Sequence, residues 1–162
     1  MSKPVSRTAS PLDFSLISFL VVDDQPFARR LVRSILLGFG SREVYESANG
    51  VEAFELTRTV MPSIIITDLV MPIFNGLRFL KMAKEPQSPA HNTPIIVLSG
   101  YLTKAAALKV QSSGADELLV KPVSPKALYD HIARIVMRRE GGQQLRALRA
   151  DPQRKAGDFA YI

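Results

Sequence analysis

Ile64-Ile65-Ile66-Thr67-Asp68 decides the fold. Three consecutive isoleucines, bounded by Pro62 before and the Met71-Pro72 turn after, read as a fully buried strand that ends in a carboxylate. The same design recurs on either side. Phe19-Leu20-Val21-Val22 ends in Asp23-Asp24, Ile95-Ile96-Val97-Leu98 in Ser99, and Leu118-Leu119-Val120 in Lys121. If these runs are neighbouring parallel strands, their polar ends open on one edge of the sheet, where open α/β sheets bind ligands.

Between the runs lie segments of helical period. Pro26 suits a first helical turn, with Phe27, Ala28, Leu31, Ile35 and Leu36 on the inward face, Arg29, Arg30 and Arg33 on a solvated face, and Gly38 and Gly40 as terminators. Val44 and Tyr45 mark a short second strand. Asn49-Gly50 turns into a helix carrying Val51, Phe54 and Leu56 inward, which Pro62 closes. A helix over about 75–84 faces Leu77, Leu80 and Met82 or Ala83 inward, and the three prolines between Glu85 and Pro94 indicate an exposed connection. A helix near 103–112 carries mostly alanine on its apolar side, buries little and is expected to be the most mobile; Gly114 stops it. Ser124-Pro125 caps a last helix through Leu128, Ile132 and Ile135. Alternation of this kind is the signature of an α/β fold with a parallel sheet and crossover helices. We divide the chain into an N-terminal extension 1–15, one domain over 16–139 and a basic C-terminal extension 140–162 that begins near Gly141-Gly142.

Composition narrows the function classes. The chain has 162 residues and a net charge of +6, enough for one domain with a real core. Half of the charge excess lies in residues 138–162, where Arg138, Arg139, Arg146, Arg149, Arg154 and Lys155 outnumber Glu140, Asp151 and Asp158. Without cysteines there are no disulfides and no thiolate zinc sites. No apolar run approaches the ~20 residues that span a bilayer, and Leu12 to Val22 is interrupted by Asp13, Ser15 and Ser18, so it reads as a buried strand rather than a leader. The expectation is a soluble, cytoplasmic protein with no membrane partner.

Asp23, Asp24 and Asp68 would repel one another unless a cation is present. Lys121 supplies one charge, and an all-oxygen cluster suits Mg²⁺, which keeps few protein ligands and leaves room for a phosphate. Such a site, with an ammonium and the Ser99 hydroxyl, neutralises phosphoryl oxygens in transfer, and Asp68 can be the nucleophile.

Together, Asp23-Asp24, Asp68 with Met71-Pro72 and Gly76, Ser99-Gly100, and Lys121-Pro122 resemble the signature of the response-regulator receiver domain over roughly 16–137. That resemblance implies a doubly wound, flavodoxin-like five-stranded sheet in the order 2-1-3-4-5. It implies that Asp68 accepts a phosphoryl group from a phosphohistidine of a sensor histidine kinase or histidine phosphotransfer protein. Asp24, Asp68 and the backbone carbonyl of Val70 would bind Mg²⁺ directly, with Asp23 acting through water. Lys121 would pair with Asp68 and then with the phosphoryl oxygens, Ser99 would move to hydrogen-bond the phosphoryl group, and the Lys121-Pro122 peptide would be cis. Kinases dock on the first helix in that family. One departure stands out: Leu118 occupies the place of the family's aromatic switch residue, and Tyr101 is the candidate to contribute instead.

The expectation is a receiver-only two-component response regulator, a phosphoacceptor switch or phosphorelay carrier rather than an enzyme, which signals through a downstream protein target. The alternative is phosphorylation-controlled binding of nucleic acid by the tail, which is too short for a helix-turn-helix domain. A third reading, an Asp-nucleophile phosphohydrolase of the haloacid-dehalogenase type, fits poorly because the nucleophile lies on the third strand rather than the first. His91 and His131 lack a second ligand in sequence and are assigned neither metal nor relay roles.

Overall fold

In the computed structural model, which describes residues 12–140, five strands alternate with five helices. β1 (Ser18–Val22), α1 (Pro26–Gly38), β2 (Glu43–Ser47), α2 (Gly50–Val60), β3 (Ile64–Asp68), α3 (Gly76–Ala83), β4 (Ile95–Ser99), α4 (Lys104–Ser112), β5 (Glu117–Val120) and α5 (Pro125–Glu140) follow one another in the chain. All pairings are parallel and the strand order is β2-β1-β3-β4-β5, as the resemblance implies. The residues from Gly141 onward, on which most of the nucleic-acid reading rests, lie outside the described residues; Arg138 and Arg139, counted with them, belong to α5, where Arg138 pairs with Glu117.

Alternation along the strands divides the core in two, because successive side chains leave opposite faces of a sheet. Phe19, Val21, Ile64, Ile66, Ile96 and Leu98 pack against Leu36 of α1 and Leu128 and Ile132 of α5. Leu20, Val22, Ile65, Ile95 and Val97 pack on the other face with Ala53 of α2, Phe79 and Leu80 of α3, and Val110 of α4. Both faces of β1, β3 and β4 are covered, which is why these runs are continuously apolar.

The helix starts follow local chemistry. Asn49, Asn75, Thr103 and Ser124 each accept a hydrogen bond from a backbone N–H of the first turn, at 2.9–3.1 Å. Pro26 opens α1, and beyond its end Gly40 has φ +101°. As expected, α4 buries little: Val110 is its one buried residue.

Several inward faces differ from the sequence reading. On α1 the buried stripe is Val32, Ile35 and Leu36, whereas Phe27 is 81% exposed and Leu31 41%. Phe27 and Leu31 share a turn-by-turn register with Ile35, but only the stripe that includes Val32 meets the sheet. On α2, Val51 is exposed and the sheet-facing positions belong to Ala53, Thr57 and Val60, with Phe54 and Leu56 half-buried. Phe79 is fully buried on α3, with Leu80 and Ala83, while Leu77 is half-buried. β2 extends over Glu43–Ser47 rather than two residues, because its pairing with β1 gives an edge strand ladder hydrogen bonds whatever its polarity. Arg29 is not solvated; it pairs with Glu46. His131 has a partner too: its Nδ1 lies 2.7 Å from Glu117.

A short 3-10 turn, Phe14–Leu16, precedes β1, with Asp13 accepting from the Ser15 N–H. Phe14 is buried in the α1/α5 half of the core, its ring 4.9 Å from Phe39 and 5.6 Å from Tyr129. The packed body therefore reaches back to Phe14. No described helix is long and apolar enough to cross a membrane.

Candidate functional site

Strand register assembles the site. Val22 lies opposite Thr67, Asp68 opposite Leu98, and Ser99 opposite Val120. The residues that follow β1 and β5 therefore emerge beside the last residues of β3 and β4, on one edge of the sheet. One carboxylate oxygen from each of Asp23, Asp24 and Asp68 falls within 4.8 Å of the others. Lys121 Nζ lies between two of them, 3.2 Å from Asp23 Oδ2 and 3.3 Å from Asp68 Oδ1. The geometric expectation for these four residues holds.

The loops are built to hold these groups. Asp23 Oδ1 accepts from the Gln25 N–H at 2.9 Å, and Asp23's own N–H donates to the Ser47 carbonyl at 3.1 Å. The loop after β3 is pinned at two points. Phe74 is buried against Gly50, and Gly76 N–H donates to the Leu69 carbonyl at 2.9 Å. Gly76 is required by packing: a Cβ there would lie 2.0 Å from the Asp68 carbonyl oxygen. The Lys121-Pro122 peptide is cis, as the resemblance implies.

Electrostatics separates the acids. Asp68 is buried, and desolvation pushes its pKa above the ordinary carboxylate value; Lys121 opposes the rise, Asp23 adds to it, and a hydrogen bond from Val70 N–H opposes it. Burial alone would lower the Lys121 pKa, but Asp68 and Asp23 outweigh it and hold the ammonium above its ordinary value. Asp23 has both oxygens engaged. Asp24 does not: its Oδ1 is buried without a hydrogen-bond partner among the described residues.

A buried carboxylate oxygen with no donor is costly unless a cation faces it. Three carboxylates against one ammonium leave the cluster negative. Hard oxygen donors, an excess of negative charge and an orphaned oxygen together fit a divalent cation of the Mg²⁺ type. Among the described residues, Asp24 Oδ1 is the buried carboxylate oxygen left free to face such an ion, and Asp68 lies beside it within the same cluster.

The remaining candidates surround this centre. Ser99, buried at the end of β4, donates its Oγ hydrogen to the Tyr101 carbonyl at 2.7 Å. Tyr101 itself is exposed, and so is the Val70 side chain. Leu118 is half-buried and packs against the α2/α3/α4 half of the core. The sequence reading missed Arg29, whose Nη1 donates to the Asp23 carbonyl at 2.7 Å and whose Nε donates to Glu46 at 3.2 Å. The available signal was an Arg on the first helix and a Glu on the adjacent strand. His91 lies outside the site, with Nδ1 2.9 Å from the Lys84 carbonyl.

Comparison with known proteins agrees with this geometry. The family model for the response regulator receiver domain matches residues 19–133. A chemotaxis protein CheY homolog of Campylobacter jejuni is 32% identical over 117 residues, covering 72% of this chain and 89% of that protein. A protein-glutamate methylesterase/protein-glutamine glutaminase of Methanococcus maripaludis is 38% identical over 113 residues, 67% of this chain but 29% of that protein. The structure of Vibrio cholerae chemotaxis protein CheY4 superposes with a TM-score of 0.69 at 31% identity, covering 74% of this chain and 98% of that one. Receiver domains are phosphoacceptor switches of two-component systems, generally not enzymes, and bind Mg²⁺ through an acidic pocket of this kind. With its β2-β1-β3-β4-β5 sheet and its cluster of three aspartates and a lysine at one edge, the chain belongs to the response-regulator receiver family.

Proposed function

We propose that the chain is a phosphorylation-controlled protein-binding switch with Asp68 as phosphoacceptor. The observation that carries this reading is the Lys121 ammonium bridging Asp23 and Asp68 beside an unsatisfied Asp24 oxygen. A carboxylate oxygen of Asp68 attacks the phosphorus of a phosphohistidine on a sensor kinase or phosphotransfer protein; the P–N bond breaks and the imidazole leaves with the electron pair and takes up a proton. Bound Mg²⁺ supplies charge neutralisation for the phosphoryl oxygens. Asp24, Asp68 and the Val70 carbonyl would hold it, with Asp23 reaching it through water. Lys121 exchanges its contact with Asp68 for one with a phosphoryl oxygen.

Output begins at Ser99. When its hydroxyl turns to a phosphoryl oxygen, the Tyr101 carbonyl loses its 2.7 Å donor, and the loop leading into the weakly anchored α4 is released. Phosphorylation shifts the equilibrium only by its differential interaction with the two arrangements. Leu118, in place of an aromatic switch, and exposed Tyr101 make this face the one that changes for a downstream protein target. A cytoplasmic location follows from this partnership. The test is labelling with acetyl phosphate and Mg²⁺: wild type becomes an acid-stable, hydroxylamine-labile phosphoprotein, and Asp68→Asn does not. Undiminished labelling of Asp68→Asn defeats the assignment.

A further inference from the structure

We propose that Arg29 is a positioning residue for the cation site, acting through the peptide that joins Asp23 to Asp24; this rests on the reading of the aspartate cluster as a Mg²⁺ site. The Asp23 N–H is held by the Ser47 carbonyl at 3.1 Å, and the Asp23 carbonyl by Arg29 Nη1 at 2.7 Å. That carbonyl belongs to the same planar peptide group as the Asp24 N–H. Fixing the carbonyl fixes the plane from which the Asp24 Cα departs, and with it the direction of the carboxylate whose Oδ1 has no donor.

Arg29 is itself braced. Its Nε donates to Glu46 Oε1 on β2 at 3.2 Å, and Arg33 Nε lies 3.5 Å from Glu46 Oε2. The planar guanidinium carries donors at fixed angles, so one group spans the Asp23 carbonyl and the Glu46 carboxylate at once. A lysine offers a compact point charge and does not span both. The Arg29 side chain is 18% exposed, so this is a packed contact rather than a solvated charge. Positioning and plain charge make opposite demands. A cation near a Mg²⁺ site repels the metal, so if charge were all, removing Arg29 would tighten binding.

The experiment is calorimetric titration of the full chain with Mg²⁺ alone, alongside thermal melts in EDTA. Arg29→Ala is expected to bind Mg²⁺ about tenfold more weakly, the low end for residues that orient ligands from behind. Arg29→Lys is expected between the two, because it keeps the charge and loses the bridge. The melt in EDTA is expected to fall for Arg29→Ala, which loses a packed hydrogen bond, and less for Arg29→Lys, with both variants still folded at the titration temperature. Glu46→Gln, which leaves Arg29 in place but unbraced, is expected to weaken binding less than Arg29→Ala. Combining the two is expected to add little to Arg29→Ala alone, as for residues acting as a unit. Arg29→Ala with unchanged or tighter Mg²⁺ binding overturns the inference while leaving the site reading intact. A wild-type chain that takes up no Mg²⁺ removes the site reading and this inference with it.

Discussion

Replacing Lys121 with methionine removes the one ammonium bridging Asp23 and Asp68, and its consequence can be worked from the geometry. Contacts of 3.2 and 3.3 Å correspond to about 5 kcal/mol of attraction each at an effective dielectric of ~20. Most of that is offset by desolvation of the charges, and breaking a buried pair nets about 3–5 kcal/mol. Lys121 is a quarter exposed, and Asp68, whose pKa is already raised, can take up a proton instead of staying charged without its partner. The expected loss for Lys121→Met without metal at pH 7 is therefore about 3 kcal/mol, the low end of that range, or roughly 10 °C in melting temperature.

The pH dependence follows from the directions of the shifts. Lys121 has a folded pKa above 10.5, so the stability it contributes is fully present below that pH and is lost as pH rises through the folded value. On the acid side the deficit closes as Asp68, whose pKa is raised by burial, takes up its proton. Urea unfolding of both proteins in EDTA from pH 3.5 to 9, repeated with Mg²⁺, is the assay. Mg²⁺ should raise the variant's stability more than the wild type's, because the ion then replaces the missing charge. A variant equal to or more stable than wild type at pH 7 in EDTA, or a deficit indifferent to pH, would refute the reasoning.

Three further outcomes can be checked by the same urea unfolding. Asp68→Asn should be more stable than wild type at pH 7 without metal, because the raised Asp68 pKa marks a native state that disfavours the ionised form. That gain should vanish as pH falls below the ordinary value of 3.8, where the wild-type carboxyl is protonated in both states; a gain that persists there contradicts it. Gly76→Ala places a methyl 2.0 Å from the Asp68 carbonyl oxygen and should cost at least about 1–3 kcal/mol together with Mg²⁺ affinity, whereas wild-type behaviour would mean that the loop has room. Phe14→Ala should cost about 3–5 kcal/mol, and a loss near zero would show that the 3-10 turn is not part of the core.

The strands and the site were legible for one reason: buried parallel strands read as unbroken apolar runs, so their polar ends stand out. Asp23, Asp24, Asp68, Ser99 and Lys121 could be named before any coordinate, and the structure brings the three aspartates and Lys121 together. The helix faces were less legible. α1 carries Phe27, Leu31, Val32, Ile35 and Leu36, and two helical stripes pass through Ile35; only the position of the sheet selects the one with Val32. On α2 the small residues Ala53 and Thr57 face inward, where apolar size is a poor guide. The turn at Phe14–Leu16 is too short to have a period, and its burial depends on Phe39 and Tyr129, which come from far along the chain. The Arg29–Glu46 brace likewise exists only once β2 lies beside β1. Ser99 was placed at the correct strand end, but its bond to the Tyr101 carbonyl is a turn contact that spacing alone does not reveal.

The central claim is that these acids form a cation-assisted phosphoryl site on Asp68, and fluorine NMR of the protein with beryllofluoride tests it most directly. Bound fluoride resonances should appear for wild type only when Mg²⁺ is present and be absent from Asp68→Asn under all conditions. Resonances that persist in the Asp68→Asn protein, or that form equally well in EDTA, would contradict the account.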